Sequence, residues 1–482
     1  MSIAIYFFRE YIFYINIFFI IVIILIEKRN PLYTLFWITI LLVAPYLGFI
    51  LYIFLGLKFQ KRRTAEKYYK WKFFQSRKII NSSDRQDLFK WKQLISYLEV
   101  SSMNKLTSLN SIKIITSGNK FFDMMKSDLL DAKESINIEY YSFRYDKIGH
   151  EIVDILVDKA KEGVKVKVII DGASSVKNKM LNRITYAGGE IKRFFPWHFL
   201  FLKLATLRVN YRDHRKLTII DDKIGYIGGF NIGDEYLGKG PLGNWRDSAV
   251  RILGECVLEL QKEFYFSWGI VNKKDYTPIE APYKYNEEVE EQLIKDNEVH
   301  GTHIQVVSSG PNYQFRTMRD NFLKIILEAQ KYIYIQSPYF VPDEIILEAI
   351  RVAAASGVKI KIMIPNISDH IFMKWVNQFF AGELLDLGVE IYKYNNGFIH
   401  SKLILADDEI VSIGSANFDY RSLYQNFEMN INIYEKYIVE EFYKIFNNDI
   451  RLCVRLFKSQ YSKRGLWIKF KESVFRLLAP IL

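Results

Sequence analysis

Charge is absent from Leu32 to Leu57, a run of 26 residues. At about 1.5 Å of rise per helical residue, that run exceeds a hydrocarbon core of roughly 30 Å. The pattern predicts a membrane-spanning helix, kinked where Pro45 removes a backbone donor. A shorter apolar run, Tyr11 to Ile26, has 16 residues and reaches spanning length only by taking in Arg9 and Glu10. If both runs cross, Glu27 to Pro31 is the tight turn of a hairpin and both its ends lie on one side of the membrane. A cleaved leader is the weaker account, because no positive segment precedes the first run and no small-residue cleavage site follows it.

Beyond residue 110 the pattern changes. Short β-branched runs alternate with amphipathic stretches, as where Ile148 to Gly163 ends in glycine just before a strand from Val164. This predicts an α/β fold with mixed sheets flanked by helices. The stretch also repeats itself. AKESINIEYYSF from Ala132 aligns with AQKYIYIQSPYF from Ala329 at an offset of 197, and GVKVKVII from Gly163 aligns with GVKIKIMI from Gly357. A register kept this long implies duplication, with two homologous domains in a pseudo-two-fold pair. The expected division is a transmembrane hairpin at 1–62, a basic juxtamembrane linker at 63–110, a first domain at 111–275, a polar linker at 276–302 and a second domain at 303–482.

The net charge of +12 favours a polyanionic partner, either nucleic acid or an anionic membrane surface. Lys58, Lys61, Arg62, Arg63, Lys67, Lys70 and Lys72 follow the second apolar run, which predicts cytoplasmic catalytic domains behind a multi-pass anchor in the cell membrane. A lipid-tethered chain gains nothing from a nucleic-acid partner, so none is expected. Cys256 and Cys453 are too few for a disulfide framework or a zinc cluster. The last stretch, Gly465 to Leu482, mixes aromatic and aliphatic residues with Lys469, Lys471 and Arg476, which suits either a membrane interface or a terminal helix packed on the second domain.

The chemistry sits in a motif found once per repeat: His214, Lys216 and Asp221, then His400, Lys402 and Asp407. Each set leads on to Gly228-Gly229-Phe230-Asn231 or Gly414-Ser415-Ala416-Asn417. On a strand, positions i and i+2 share a face, so each histidine and lysine point together while Leu217, Ile219, Leu403 and Leu405 turn to the core. Asp221 and Asp407 have the opposite parity and are expected to fix the following turn. Two imidazoles and two ammonium groups around one cavity suit phosphodiester chemistry: one histidine attacks phosphorus and the other moves a proton. The lysines, with Asn231 and Asn417, are expected to hold the phosphoryl oxygens, so that no metal and no cofactor is needed. Each histidine needs its other ring nitrogen held. Asp247, 33 residues after His214, and Glu428, 28 after His400, are the candidate orienting carboxylates.

At these residues the chain resembles the bacterial cardiolipin synthases of the phospholipase D superfamily. The likeness runs nearly end to end, through NPLYTLFWITILLVAPYLGFILYIFLG, INIEYYSFRYDKIG, DHRKLTIIDDKIGYIGGFNIGDEY, WRDSAVRILG, SSGP, QSPYFVPDEIILEAIRVAAASGVKIKIMIP and IHSKLILADDEIVSIGSANFDYRSLYQNFEMN. The paired motif alone specifies the superfamily, which also includes nucleases and phospholipases. The hairpin with SPYFVPD and NFDYRS points further. The resemblance implies two phospholipase D-like domains and a reaction in which two phosphatidylglycerols give cardiolipin and glycerol through a phosphatidyl-histidine, without nucleotide or metal. It carries the catalytic role onto His214, Lys216, Asp221, His400, Lys402 and Asp407; the symmetry of the two motifs leaves either histidine open as nucleophile, and His214 is named for that role with His400 as acid–base. A membrane-bound phospholipase D hydrolase and a phosphatidylserine-type synthase share the intermediate and remain the alternatives.

Overall fold

A computed structural model of the chain describes residues 11–21, 31–52, 90–172, 179–194, 211–272 and 301–479. The expected hairpin turn, the basic cluster that follows it and the expected linker up to residue 300 lie outside this set. The chain divides into two compact units.

The smaller unit contains the described residues 11–21 and 31–52. Its second apolar run is two helices, Pro31–Val43 and Pro45–Leu51, broken at Ala44. Pro45 has no N–H to bond Leu41 O four residues back. Asn16 fills that gap, its Nδ2 donating to Leu41 O at 3.2 Å and to Pro45 O at 3.0 Å. Trp37, Leu41 and Tyr52 are buried together, with Phe19 and Ile20 against them. No helix among the described residues is long and apolar enough to cross a membrane. The single span expected from Leu32 is therefore divided at the proline, and residues 53–57 fall outside the described set.

The larger unit contains both repeats, each built on one sheet. The first sheet runs Asn110–Ile115, Ala249–Gly254, Ile224–Gly228, Lys216–Ile220, Ser135–Tyr140, Lys165–Asp171, Glu190–Phe194. The second runs in the same order through Ile304–Ser309, Glu428–Ile433, Ile410–Gly414, Leu403–Ala406, Tyr332–Gln336, Lys359–Pro365, Glu390–Tyr394. In each, the last three strands are parallel to one another and the others antiparallel. The repeat extends to helix ends. Asp146 caps Lys147–Lys161 by accepting from Gly149 N at 3.0 Å, and Asp343 caps Glu344–Ala355 by accepting from Ile346 N at 2.8 Å. Gly163 and Gly357, at φ 93° and 92°, turn the chain out of these helices into the next strand.

The expected core positions are buried: Leu217, Ile219 and Leu405 are fully enclosed and Leu403 nearly so. They belong to one cluster that takes side chains from both sheets and from the helices Cys256–Asn272 and Lys436–Ile450. The halves thus share a core, and at about 1.5–3 kcal/mol per buried Leu or Ile this contact is substantial. One boundary is corrected. Residues 90–110 are folded, not linker: Lys92–Ser101 buries Leu94, Ile95 and Leu98 in the outer core of the second repeat, and Leu106–Thr107 pairs with Ile304 and Gln305. The amphipathic spacing of that helix is what binds it.

Candidate active site

The two motif histidines stand where the halves meet. His214 N donates to Phe427 O at 2.9 Å, while Phe427 N donates to Arg212 O at 2.8 Å, so a short bridge fixes His214 beside residue 428. On the other side Phe398–Ile399 pairs with Trp245–Arg246, and His400 N donates to Arg246 O at 2.8 Å, which fixes His400 beside residue 247. The result is a crossed arrangement. His214 Nδ1 lies 3.0 Å from both oxygens of Glu428, and His400 Nδ1 lies 2.6 Å from Asp247 Oδ2. Each histidine is oriented by the carboxylate of the opposite repeat. The structure brings both expected carboxylates against the histidines, but each meets the histidine of the other repeat and not the one it follows in sequence.

A carboxylate can only accept here, so a neutral ring facing it carries its proton on Nδ1 and leaves the Nε2 lone pair open. Burial, reinforced by the motif lysines, drives both imidazoles down to about 4 despite the carboxylates, so both are neutral at pH 7. Burial is likewise the first cause that brings Lys216 down to about 7 and Lys402 to about 8. Lys216 Nζ donates to His214 O at 2.6 Å, and Lys402 Nζ donates to His400 O. Both lysines are almost fully enclosed, and each feels the carboxylates on both sides of the site.

The two carboxylates are held differently. Glu428 accepts from Ser415 Oγ at 2.5 Å, Ser422 Oγ at 2.7 Å and Asn426 Nδ2 at 3.2 Å. His214, then Lys216 and the Ser415 hydroxyl, hold it below the usual carboxylate range against its burial. Asp247 accepts from Ser248 N at 2.7 Å, and Lys402 Nζ lies 4.0 Å away. Its shorter side chain sets its oxygens against the backbone: a Cβ on Gly229 would come within 2.0 Å of Asp247 Oδ1. That position is glycine in the first repeat and Ser415 in the second, where the longer Glu428 leaves space for a hydroxyl.

The motif aspartates lie away from the rings. Asp221 accepts from the backbone N–H groups of Lys133, Glu134 and Ser135 at 2.7–2.8 Å. Asp407 accepts from Gln330, Lys331 and Tyr332 at 2.6–2.9 Å and from Lys90 Nζ at 2.5 Å. Both have positive φ, 51° and 59°, which aspartate tolerates better than most residues. They tie each hairpin turn to the start of a central strand, which places them outside a catalytic set and agrees with their strand parity. Asn231 Nδ2 donates to Tyr236 OH at 2.9 Å and Asn417 Nδ2 to Asp419 Oδ2 at 3.0 Å, so each amide keeps one further N–H.

Sequence reasoning missed several supports: Ser415, Ser422, Asn426, Tyr236 and Arg246. Tyr236 OH lies 3.3 Å from His400 Nδ1. Arg246 makes a buried two-pronged pair with Asp449, its Nη2 2.8 Å from Oδ2 and its Nε 3.1 Å from Oδ1. Only Ser415 left a signal, as one of the two positions where the motif tails differ, Gly229 against Ser415 and Phe230 against Ala416.

Two repeated sheets of this order, with a histidine and a lysine at the entry to one strand of each brought to one seam, define the phospholipase D-like class. The family described as "Cardiolipin synthase, PLD-like domain" matches residues 125–265 and 322–450, and "Phospholipase_D-nuclease N-terminal" matches residues 15–56. The chain is 39% identical to the cardiolipin synthase of Listeria welshimeri over 97% of each protein. It is 38% identical to that of Staphylococcus aureus over 98% of this chain and 95% of that one. The chain belongs to the cardiolipin synthase family. Its fold is also that of the phosphatidylserine synthase of Haemophilus influenzae, with a TM-score of 0.58 and 15% identity over 82% of this chain and 96% of the other.

Proposed function

We propose that this chain makes cardiolipin, transferring a phosphatidyl group from one phosphatidylglycerol to another. The crossed histidine–carboxylate pairs carry the reading, because they present two open imidazole nitrogens with buried ammonium groups between them. His214 Nε2 attacks phosphorus, and the bond from phosphorus to the departing glycerol oxygen breaks as His400 Nε2–H gives that oxygen a proton. The glycerol hydroxyl of the second phosphatidylglycerol then loses its proton to His400 and attacks phosphorus, and the phosphorus–His214 bond breaks. Atoms balance as two phosphatidylglycerols in, one cardiolipin and one glycerol out. His400 starts neutral, so the anionic phosphate settling between Lys216 and Lys402 is what raises its affinity for the proton it must carry.

The carboxylates support this division of labour. Glu428 accepts from two hydroxyls and an amide besides meeting His214, while Asp247, among the described residues, accepts from Ser248 N alone besides meeting His400 at 2.6 Å. A less shared carboxylate favours an imidazolium more, which suits His400 to the acid–base role and leaves His214 the nucleophile. Lys216, Lys402, Asn231 and Asn417 hold the phosphoryl oxygens. The two apolar runs anchor the chain as a multi-pass hairpin in the cell membrane, with the catalytic domains at 111–275 and 303–482, and residues 90–110 folded onto the second, on the cytoplasmic side. Its partner is the phospholipid membrane.

A phosphodiester with a p-nitrophenolate leaving group separates the roles, because that group departs without a proton. His400→Ala is expected to release a burst of about one p-nitrophenolate per chain, and His214→Ala none. The opposite pattern exchanges the roles, and bursts from both mean that the halves do not share one site. Incubation with phosphatidylglycerol alone is expected to give cardiolipin and glycerol; phosphatidic acid as sole product makes the enzyme a hydrolase.

A further inference from the structure

The helix Leu466–Phe475 and the turn after it leave Leu466, Trp467, Phe470, Val474 and Leu477 between 42% and 84% exposed. At about 100° per residue these five positions fall within a single sector of about 100°. The opposite side is packed. Glu472 is fully buried, accepts from Arg464 Nε at 2.7 Å and from Gln378 Nε2 at 2.9 Å, and is the only acidic residue in the helix. Lys469 flanks one edge of the apolar sector and Lys471 the other, with Lys471 Nζ 5.4 Å above the Trp467 ring. The exposed face of this helix is therefore apolar in the middle, cationic at the rims and free of acids.

Five large apolar side chains gathered on one exposed face form a contiguous patch of the kind that marks a docking surface. The cationic rim selects an anionic surface, and the substrate of the proposed reaction is an anionic lipid. We propose that Leu466–Phe475 is an interfacial helix that seats the catalytic unit on anionic bilayer, its apolar sector entering the acyl boundary and Lys469 and Lys471 meeting lipid phosphates. Its seating is continuous with the site. The helix packs on Ile371–Gly382, where Asn377 Oδ1 accepts from Phe340 N at 2.8 Å. Phe340–Val341 pairs in turn with Phe418–Asp419, next to Asn417. A helix fixed to the bilayer thus fixes the strand beside the phosphate-holding residues.

This inference rests on the bilayer-lipid reading of the substrate, and its first test does not depend on turnover. The full chain carrying Cys453→Ser and Phe470→Cys, with Cys256 buried, is labelled with an environment-sensitive fluorophore and mixed into vesicles. A blue shift is expected with phosphatidylglycerol in phosphatidylcholine, and a smaller one with phosphatidylcholine alone. A label at Tyr186→Cys, on a residue 88% exposed, is expected not to shift. No shift at position 470 in anionic vesicles overturns the proposal, and so does a shift in detergent that grows with protein concentration, which assigns the face to a second copy of the chain. The triple variant Trp467→Ser/Phe470→Ser/Leu477→Ser is expected to lose about tenfold of its rate on vesicles while keeping its rate on detergent-dispersed phosphatidylglycerol within about twofold. Equal loss in both makes the helix structural and overturns the proposal.

Discussion

Asp407→Asn separates a turn tie from a catalytic carboxylate. The native carboxylate accepts from three backbone N–H groups and from Lys90, and its side chain is fully buried while that of Lys90 is 24% exposed. Asparagine keeps the left-handed φ of 59° and one acceptor oxygen, which can serve Lys331 and Tyr332. Its amide then faces Gln330 N and Lys90, two donors. Losing two charge-assisted bonds costs about 1.5–3 kcal/mol each, but water reaches Gln330 and Lys90, which halves the total to about 1.5–3 kcal/mol. The unfolding midpoint of the catalytic unit is expected to fall by roughly 2–4 °C, the small shift a unit of this size gives. Well below that midpoint, glycerol release per folded chain is expected within about threefold of wild type, whereas losing a carboxylate that orients a catalytic histidine costs about 10⁴. A thousandfold loss with an unchanged midpoint refutes the assignment. The difference depends on pH. Burial alone would raise the Asp407 carboxyl, but Lys90 and the three N–H groups override it and hold the group below the usual range. A depressed folded-state pKa stabilises fully above the unfolded value of about 3.9 and is lost as pH falls through the folded value. The gap between the two proteins should therefore be full at pH 7 and narrow below about pH 4.

Gly229→Ala places a Cβ 2.0 Å from Asp247 Oδ1, so the carboxylate must leave His400 Nδ1; turnover should fall by about a hundredfold or more while the chain stays folded by circular dichroism. Turnover near the wild-type level would mean that Asp247 does not orient His400. Binding of a non-transferable phosphonate analogue should take up protons, because an anion between imidazoles at about 4 and lysines at about 7 and 8 favours their charged forms. Calorimetry at pH 7.5 in buffers of different ionisation enthalpy is expected to show an uptake of about one proton, and none would contradict the electrostatics of the site.

The repeat was legible because duplication leaves the same periodicity twice. Offsets near 190 foretold two sheets of one strand order, and the place of Asp221 and Asp407 just past each apolar run foretold their role in the turns. Three features were not legible. The crossed carboxylates follow from how two sheets meet, and spacing within one repeat carries no trace of that. The helix Lys92–Ser101 reads as a linker next to the basic cluster, yet three of its buried side chains bind it to the second repeat. The Arg246–Asp449 pair joins residues 203 apart and has no local pattern to announce it.

The crossing also orders events during synthesis. His214 waits for Glu428, 214 residues downstream, and Asp247 waits for His400, 153 residues downstream. A ribosome that has delivered the whole first domain has made a sheet with a histidine and no brace for it. Competence therefore arrives in a single late step, when the strand Glu428–Ile433 docks, and a truncated chain lacks the means to cut the lipids around it.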